Sequence, residues 1–287
     1  MADTLGQADL RGLNVDKLVK GFADEPFIFK NFLTKTSTNA REIRWFSKAG
    51  GVLNSTNTTG ITKSQIAGVA FGALPPVVEE SVTRKTSYVR HYFVESPWFT
   101  YADIKDSDPD MLAQNIKQLT RSVQNQIDYR IFDALSGTCL LSGSAAGASW
   151  SSATANPVRD LLSGSTQIEK NSYNTSNLVV FMHPQQKQEL LDYVINTAGA
   201  SITGFATEKV KDGTIVSILG QRIVVSNNAT EGLVLQIVPQ QAATWKSFTP
   251  ITAVTKAEPG IGVKVRIWED GEVIFTDPNA AFLTKGC

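Results

Sequence analysis

Residues 108–137 read DPDMLAQNIKQLTRSVQNQIDYRIFDALSG, one long amphipathic helix with its start signal, its apolar stripe and its stop. Asp108 can accept a hydrogen bond from the free amides of the first turn. Pro109 supplies a preset φ where no amide partner is needed, and Asp110 suits the positive end of the helix dipole. Leu112, Ile116, Leu119, Val123, Ile127, Ile131 and Leu135 recur at steps of three or four, which places them in one stripe. Gln114, Gln118, Ser122, Gln126 and Arg130 fall away from it, and Gly137 is placed to end the helix in the left-handed conformation. At 1.5 Å per residue the segment spans roughly 40 Å, about twice the mean helix length of globular proteins. Its stripe must face a packed layer along its whole length.

Upstream, Leu10, Leu13, Leu18 and Val19 give a short helical pattern, and Phe27, Ile28, Phe29, Phe32 and Leu33 form an apolar-aromatic cluster. Residues 1–40 therefore read as an arm that needs a surface to lie on. Residues 41–48 alternate like a strand, and 77–94 does so again, with Val78, Val82, Val89 and Phe93 among polar neighbours. The insert between them, Gly50 to Pro76, is rich in Gly, Ser, Thr and Asn, and structureless connections of that length are uncommon inside compact domains. Two strands joined by such a tip predict an extended two-stranded loop over 41–96. Its Ile61, Ile66, Val69 and Phe71 would be buried on a partner chain.

Downstream, residues 142–156 are almost entirely Ser, Ala, Gly and Thr, which predicts a flexible crossing. Val158, Leu161, Leu162 and Ile168 predict a helix, Leu178 to Met182 a buried strand, and Pro184 to Ala198 a second helix opened by proline. Ile215 to Leu219, Arg222 to Ser226 and Leu233 to Val238 follow as short strands, giving an α+β body over 142–247. Beyond it, Val263, Val265 and Ile267 alternate against Lys264, Arg266 and Trp268; Asp270-Gly271 then supplies hairpin-turn chemistry and Val273 to Phe275 returns. The chain thus leaves a first body, 97–141, at the long helix, builds a second, and comes back to the first over 248–287.

The charge balance narrows the function. Lys plus Arg and Asp plus Glu are each 27, so a formal net charge of zero presents no basic field to nucleic acid. No apolar run approaches the ~20 residues that cross a bilayer, so no membrane partner is expected. Cys139 and Cys287 are read as unpaired thiols of a reduced compartment. His91 and His183 are the only histidines. With no phosphate-binding loop, dinucleotide fingerprint or nucleophile elbow, neither a cofactor nor a metal is implied. One enzyme-like pairing stays open, Cys139 as thiol with His183 as base. Arg84, Lys85, Arg90 and His91 make the second strand of the loop modestly basic, opposed by Glu79, Glu80 and Glu95. That pattern suits ion pairs to neighbouring subunits.

Several segments, taken in this order, resemble the major capsid proteins of tailed bacteriophages, whose Hong Kong 97-type fold is shared with encapsulins. They are Ile127-Asp128 with Ile131 and Leu135 near the end of the long helix, Val179-Val180-Phe181-Met182-His183-Pro184, Leu219 to Ser226, and Trp268 to Gly271 followed by Thr276 to Ala281. The resemblance covers roughly residues 78–285. It implies an α+β capsid fold with an N-terminal arm (1–40), an extended β-hairpin loop (41–96), a peripheral domain with its spine helix (97–141), an axial domain (142–247) and a return to the peripheral domain (248–287).

The function it implies is self-assembly as pentamers and hexamers into an icosahedral head around double-stranded DNA, with no catalytic residues. The same likeness implies a virion location, assembly in the host cytoplasm, and portal and scaffold or decoration proteins as partners. Scaffolding is expected to be separate or absent, because the arm begins within the first forty residues. Candidate contacts between subunits are Ile61, Lys63, Ile66, Val69 and Phe71 of the loop tip, Arg84, Lys85 and Arg90 of its second strand, and Phe27 and Phe29 of the arm. Glu269, Asp270 and Glu272 join them from an expected turn at Arg266 to Val273, near local three-fold contacts. Lys63 and Asn279 match the residue types that some members crosslink. The alternatives are an encapsulin-type nanocompartment shell and a soluble α/β enzyme using Cys139 or His183.

Overall fold

The computed structural model describes residues 9–10, 13–14, 19, 29–48, 70–74, 82–102, 109–145, 148–152, 154–195 and 217–287. The long helix is present as α1 (Pro109–Thr138). Ile116, Val123, Ile127, Ile131 and Leu135 are each at most 2% exposed. Gln114, Gln118, Ser122 and Gln126 lie on the exposed side, as the 3.6-residue period requires. Asp108 lies outside the described residues. Gly137 does not end the helix with a positive φ; the helix runs through it to Thr138, whose hydroxyl donates to the Ala134 carbonyl at 2.5 Å.

Ahead of α1 come β1 (Asp9–Leu10), β2 (Leu13–Asn14), β3 (Thr34–Ser37), β4 (Glu42–Lys48), β5 (Val82–Tyr88), β6 (Arg90–Glu95) and β7 (Phe99–Thr100). After α1 come β8 (Leu141–Ser144), α2 (Pro157–Lys170), β9 (Val179–Met182), α3 (Pro184–Tyr193), β10 (Ser217–Ile218), β11 (Gln221–Val225) and β12 (Leu233–Ile237). β13 (Thr244–Glu258), β14 (Gly262–Ile274) and β15 (Ala281–Lys285) complete the chain. One sheet has the order β3-β13-β14-β6, with β7 also on β14; a six-stranded sheet runs β10-β11-β9-β12-β15-β8. The C-terminal stretch is divided between them, since β13 and β14 build the first and β15 lies inside the second.

Both sheets and α1 share one core. Val179 and Phe181 of β9 point into it, while Val180 and Met182 point the other way, toward Leu161 of α2 and Leu190 of α3. A strand buried on both faces reads as a continuous apolar run. The 3-10 turn Phe29–Phe32 plugs the junction: Phe29 lies 4.2 Å from Phe181 and 6.0 Å from Phe132 between ring centroids.

Four local expectations are corrected. Leu10 and Leu13 lie in an antiparallel strand pair, β1 with β2, and not in a helix. The segment 77–94 is not one strand in its described part, because Val89 separates β5, which pairs β4, from β6, which pairs β14. The crossing after α1 is tied down by β8 pairing β15 and by buried Trp150, whose indole N–H donates to Asp160 at 2.9 Å. Asp270-Gly271 makes no turn, so the expected Arg266 to Val273 turn is replaced by continuous β14, with Asp270 opposite Thr249 and Gly271 opposite Ser247.

The reversal lies at Pro259-Gly260, where Ile261 N–H bonds the Glu258 carbonyl at 3.2 Å and Gly260 has φ +81. Pro at the second turn position and Gly at the third satisfy a type II turn. Gly271 answers a different demand, since a Cβ there would sit 2.4 Å from Cζ2 of fully buried Trp245. Gly271→Ala is expected to destabilise the chain by about 1–3 kcal/mol through this overlap; an unchanged urea midpoint would show that Trp245 does not press on the strand.

Candidate assembly surface

The β4–β5 hairpin pairs from Glu42 opposite Tyr88 to Lys48 opposite Val82. Strand alternation divides its side chains. Ile43, Trp45 and Ser47 turn inward, whereas Arg44, Phe46 and Lys48 turn outward. Register places Arg84 opposite Phe46 and Lys85 opposite Trp45, with the Lys85 ammonium 5.5 Å from the Trp45 ring centre. The hairpin is held on its own chain by Lys48 N–H to the Thr276 carbonyl at 2.8 Å and by Trp45 Nε1 to Ser87 Oγ at 3.0 Å within it. Between it and the last turns of α1 lies an open cavity of about 510 Å³, walled by Trp45, Lys85, Arg130, Thr138 and Phe275. The outward face keeps Phe46, Tyr88 and Val82 exposed beside Arg44, Lys48 and Arg84.

Beneath the hairpin, charges are buried between β14 and α1. Glu272 is 2% exposed, with Arg130 Nε donating to it at 3.0 Å and Arg90 Nε also at 3.0 Å. The Arg130 contact has hydrogen-bond alignment, so Arg130 carries the directed bond. Burial raises the Glu272 pKa from its ordinary value, against the opposing pull of Arg130 and Arg90. Two residues back along α1, the Asp128 carboxylate accepts the backbone N–H groups of Phe29 and Lys30, while Lys30 ion-pairs Glu269 and lies 5.3 Å from the Trp245 ring centre.

The opposite face of the same sheet is uncovered among the described residues. Phe93, 48% exposed, stacks on His91 at 5.4 Å and lies in register with Trp268. His91 contacts Asp270, and Lys264 and Arg266 bond Glu95 at 2.6 and 2.5 Å, holding its carboxyl below the usual range. An apolar centre with a charged rim is the pattern of a protein-protein patch.

The proposed contact residues are thus dispersed. Arg84, Lys85 and Arg90 lie together on or next to the hairpin, Asp270 faces outward near Phe93, and Phe71 is fully exposed in a turn at 70–73. Ile61, Lys63, Ile66, Val69 and Phe27 lie outside the described residues. Three assignments are corrected: Phe29 at 0% and Glu269 and Glu272 at 2% exposure serve the interior of their own chain and present no surface to a neighbour. Asn279 is likewise buried, in the 3-10 turn Pro278–Ala280.

Cys139 and His183 also have local work. The Cys139 thiol bonds the Leu141 and Ala281 carbonyls, and burial pushes its pKa up to about 12. His183 caps α3, its Nδ1 accepting from Gln185 N–H at 3.3 Å. The residues missed from sequence are Asp128 as a structural acid and the Phe93–Trp268 patch. A signal existed for one of the buried glutamates: extending the alternation of Val263, Val265 and Ile267 puts Glu269 on the inner face.

The family model described as phage capsid protein matches residues 98–285. No curated protein matches the chain. The capsid of Cyanophage P-SCSP1u is similar at 10% identity, covering 100% of this chain and 90% of that one, with a TM-score of 0.64. The mature capsid of bacteriophage PhiM1 is similar at 12% identity, covering 99% and 89%, TM-score 0.61. The virus-like particle from Pyrococcus furiosus is similar at 12% identity, covering 94% and 97%, TM-score 0.62. The fold is the Hong Kong 97-type capsid fold.

Arg130→Ala leaves Glu272 with Arg90 alone and is expected to destabilise the chain by about 1–3 kcal/mol at pH 8. Without Arg130 the folded-state pKa of Glu272 rises further, so protonation relieves the less compensated charge and the loss shrinks at pH 5. Urea midpoints at both pH values check this; an equal loss at both would remove Glu272 as the cause.

Proposed function

This chain belongs to the phage capsid protein family and is structural in role, and we propose that it assembles as pentamers and hexamers into an icosahedral head enclosing double-stranded DNA. The observation that carries the reading is the outward face of β4–β5. That hairpin is anchored to its own chain through Lys48 and the Thr276 carbonyl, yet it keeps Phe46, Val82 and Tyr88 in water between Arg44, Lys48 and Arg84. A second copy is the occupant that fits, because the uncovered sheet face around Phe93 and Trp268 offers an apolar centre with acidic and basic rim groups. Contact between two different faces of identical chains is heterologous, and such contacts close into rings.

The chain's zero net charge supports a wall that encloses nucleic acid without condensing it. In this reading the protein resides in the virion shell after assembly in the host cytoplasm, with portal and scaffold or decoration proteins as partners. The domains follow as 1–40 arm, 41–96 extended loop, 97–141 peripheral domain with spine helix, 142–247 axial domain and 248–287 return. The likeness to a virus-like particle favours one alternative, a nanocompartment that holds protein cargo in place of DNA. Nuclease-protected DNA in purified particles supports the head; a protein cargo without DNA supports the compartment.

Shell formation is tested with Phe46→Asp/Arg84→Glu, which alters only outward hairpin positions, and with deletion of residues 51–72. Both variants are expected to keep the wild-type circular dichroism spectrum and to lose closed particles in negative-stain micrographs. Particles of normal size from the double variant would remove the hairpin face from the interface.

A further inference from the structure

We propose that Asp128, Lys30 and Glu269 form a proton-linked latch, which holds the Phe29–Phe32 turn on α1 more tightly as pH falls from neutrality toward 5. Three elements meet here, and each contributes a charge: Asp128 from α1, Lys30 from the turn and Glu269 from β14. Asp128 and Glu269 are 4% and 2% exposed. The Asp128 carboxylate accepts the N–H groups of Phe29 and Lys30, yet its Oδ1 has no hydrogen-bond partner among the described residues. Lys30 directs its ammonium to Glu269.

Fully ionised, the cluster would bury two carboxylates against one ammonium. Uncompensated buried charge is costly, and a proton on Asp128 removes it. Burial is the largest influence and the Glu269 charge acts with it, against the two N–H groups and the Lys30 charge; the Asp128 carboxyl is pushed up to about 7. A cavity of about 230 Å³ lined by Lys30, Glu269, Gln124, Ile127 and Trp245 borders the cluster on the Lys30–Glu269 side.

The sign follows from linkage. When the turn lifts, Asp128 enters water and its pKa falls to about 4. Between about pH 4 and 7 the docked state therefore holds one more proton than the open state. Opening then becomes easier by up to tenfold per pH unit across that window and levels off above it. The latch sets how firmly the Phe29–Phe32 turn is held to α1. This inference does not depend on shell assembly.

Hydrogen exchange on the full-length chain at pH 5, 6 and 7, corrected for intrinsic exchange rates, reads the Phe29 and Lys30 amides directly. Wild-type protection is expected to fall by about tenfold from pH 5 to 6 and by less from 6 to 7. Asp128→Asn, which cannot titrate, is expected to hold constant protection. Glu269→Gln removes the neighbouring negative charge and should move the fall to lower pH, a shift that packing alone cannot produce. Constant wild-type protection, or a wild-type slope in Asp128→Asn, overturns the latch; if that variant does not fold, an unmoved profile in Glu269→Gln does so.

Discussion

The apolar stripe of α1, from Ile116 to Leu135, leaves water only when the Phe29–Phe32 turn and both large sheets close over it. Each fully buried aliphatic or aromatic side chain in that stripe contributes about 1.5–3 kcal/mol relative to exposure, and no single sheet spans the whole helix. Trp245, Val265 and Ile267 of the sheet that contains β14, and Phe181, Leu235 and Leu283 of the six-stranded one, belong to the same buried cluster as the stripe. The two sheets therefore share one core, and the helix is the rigid bar that fixes one against the other.

The charges buried under that bar do a second job. Glu269 and Glu272 of β14 are both buried, each met by a cation from another element, Lys30 or Arg130. A slip of β14 by one residue would turn its inward set toward solvent and separate these pairs. Buried ion pairs add little net stability, but here they make wrong registers expensive. The same clamp joins the Phe29–Phe32 turn, the long helix and, through Arg90 on Glu272, the strand that follows the hairpin. On the other side of the sheet the ion pairs are exposed, and they frame the Phe93–Trp268 patch that a neighbour can cover.

Much of this was legible along the chain because it rests on short-range periodicity. The stripe of α1, the four apolar residues of β9 and the Pro184 start of α3 each follow from spacing within a dozen residues or from fixed backbone chemistry. The failures have equally local causes. Asp270-Gly271 carries turn chemistry, yet the glycine is there to clear the Trp245 indole, a residue 26 positions away by numbering. Pro259-Gly260 held the real turn signal. The Ser- and Ala-rich run after α1 reads as mobile because its main anchor, β8 on β15, is a pairing with a distant segment, and no periodic pattern announces the Trp150 bond to Asp160.

The amino-acid sequence by itself determined the helix, most of the strands, the neutral charge and the kinship with capsid proteins, since each depends on residue type and near neighbours. Only the tertiary structure decided which charged residues face inward. Phe29, Glu269 and Glu272 looked like surface contacts and are interior. Asp128 looked like a family marker and is a buried acid opposite Lys30. Burial is a property of what packs on top of a residue, and that covering layer comes from segments roughly a hundred or more residues away; among these residues Glu269 alone leaves a local trace, in the alternation of its strand.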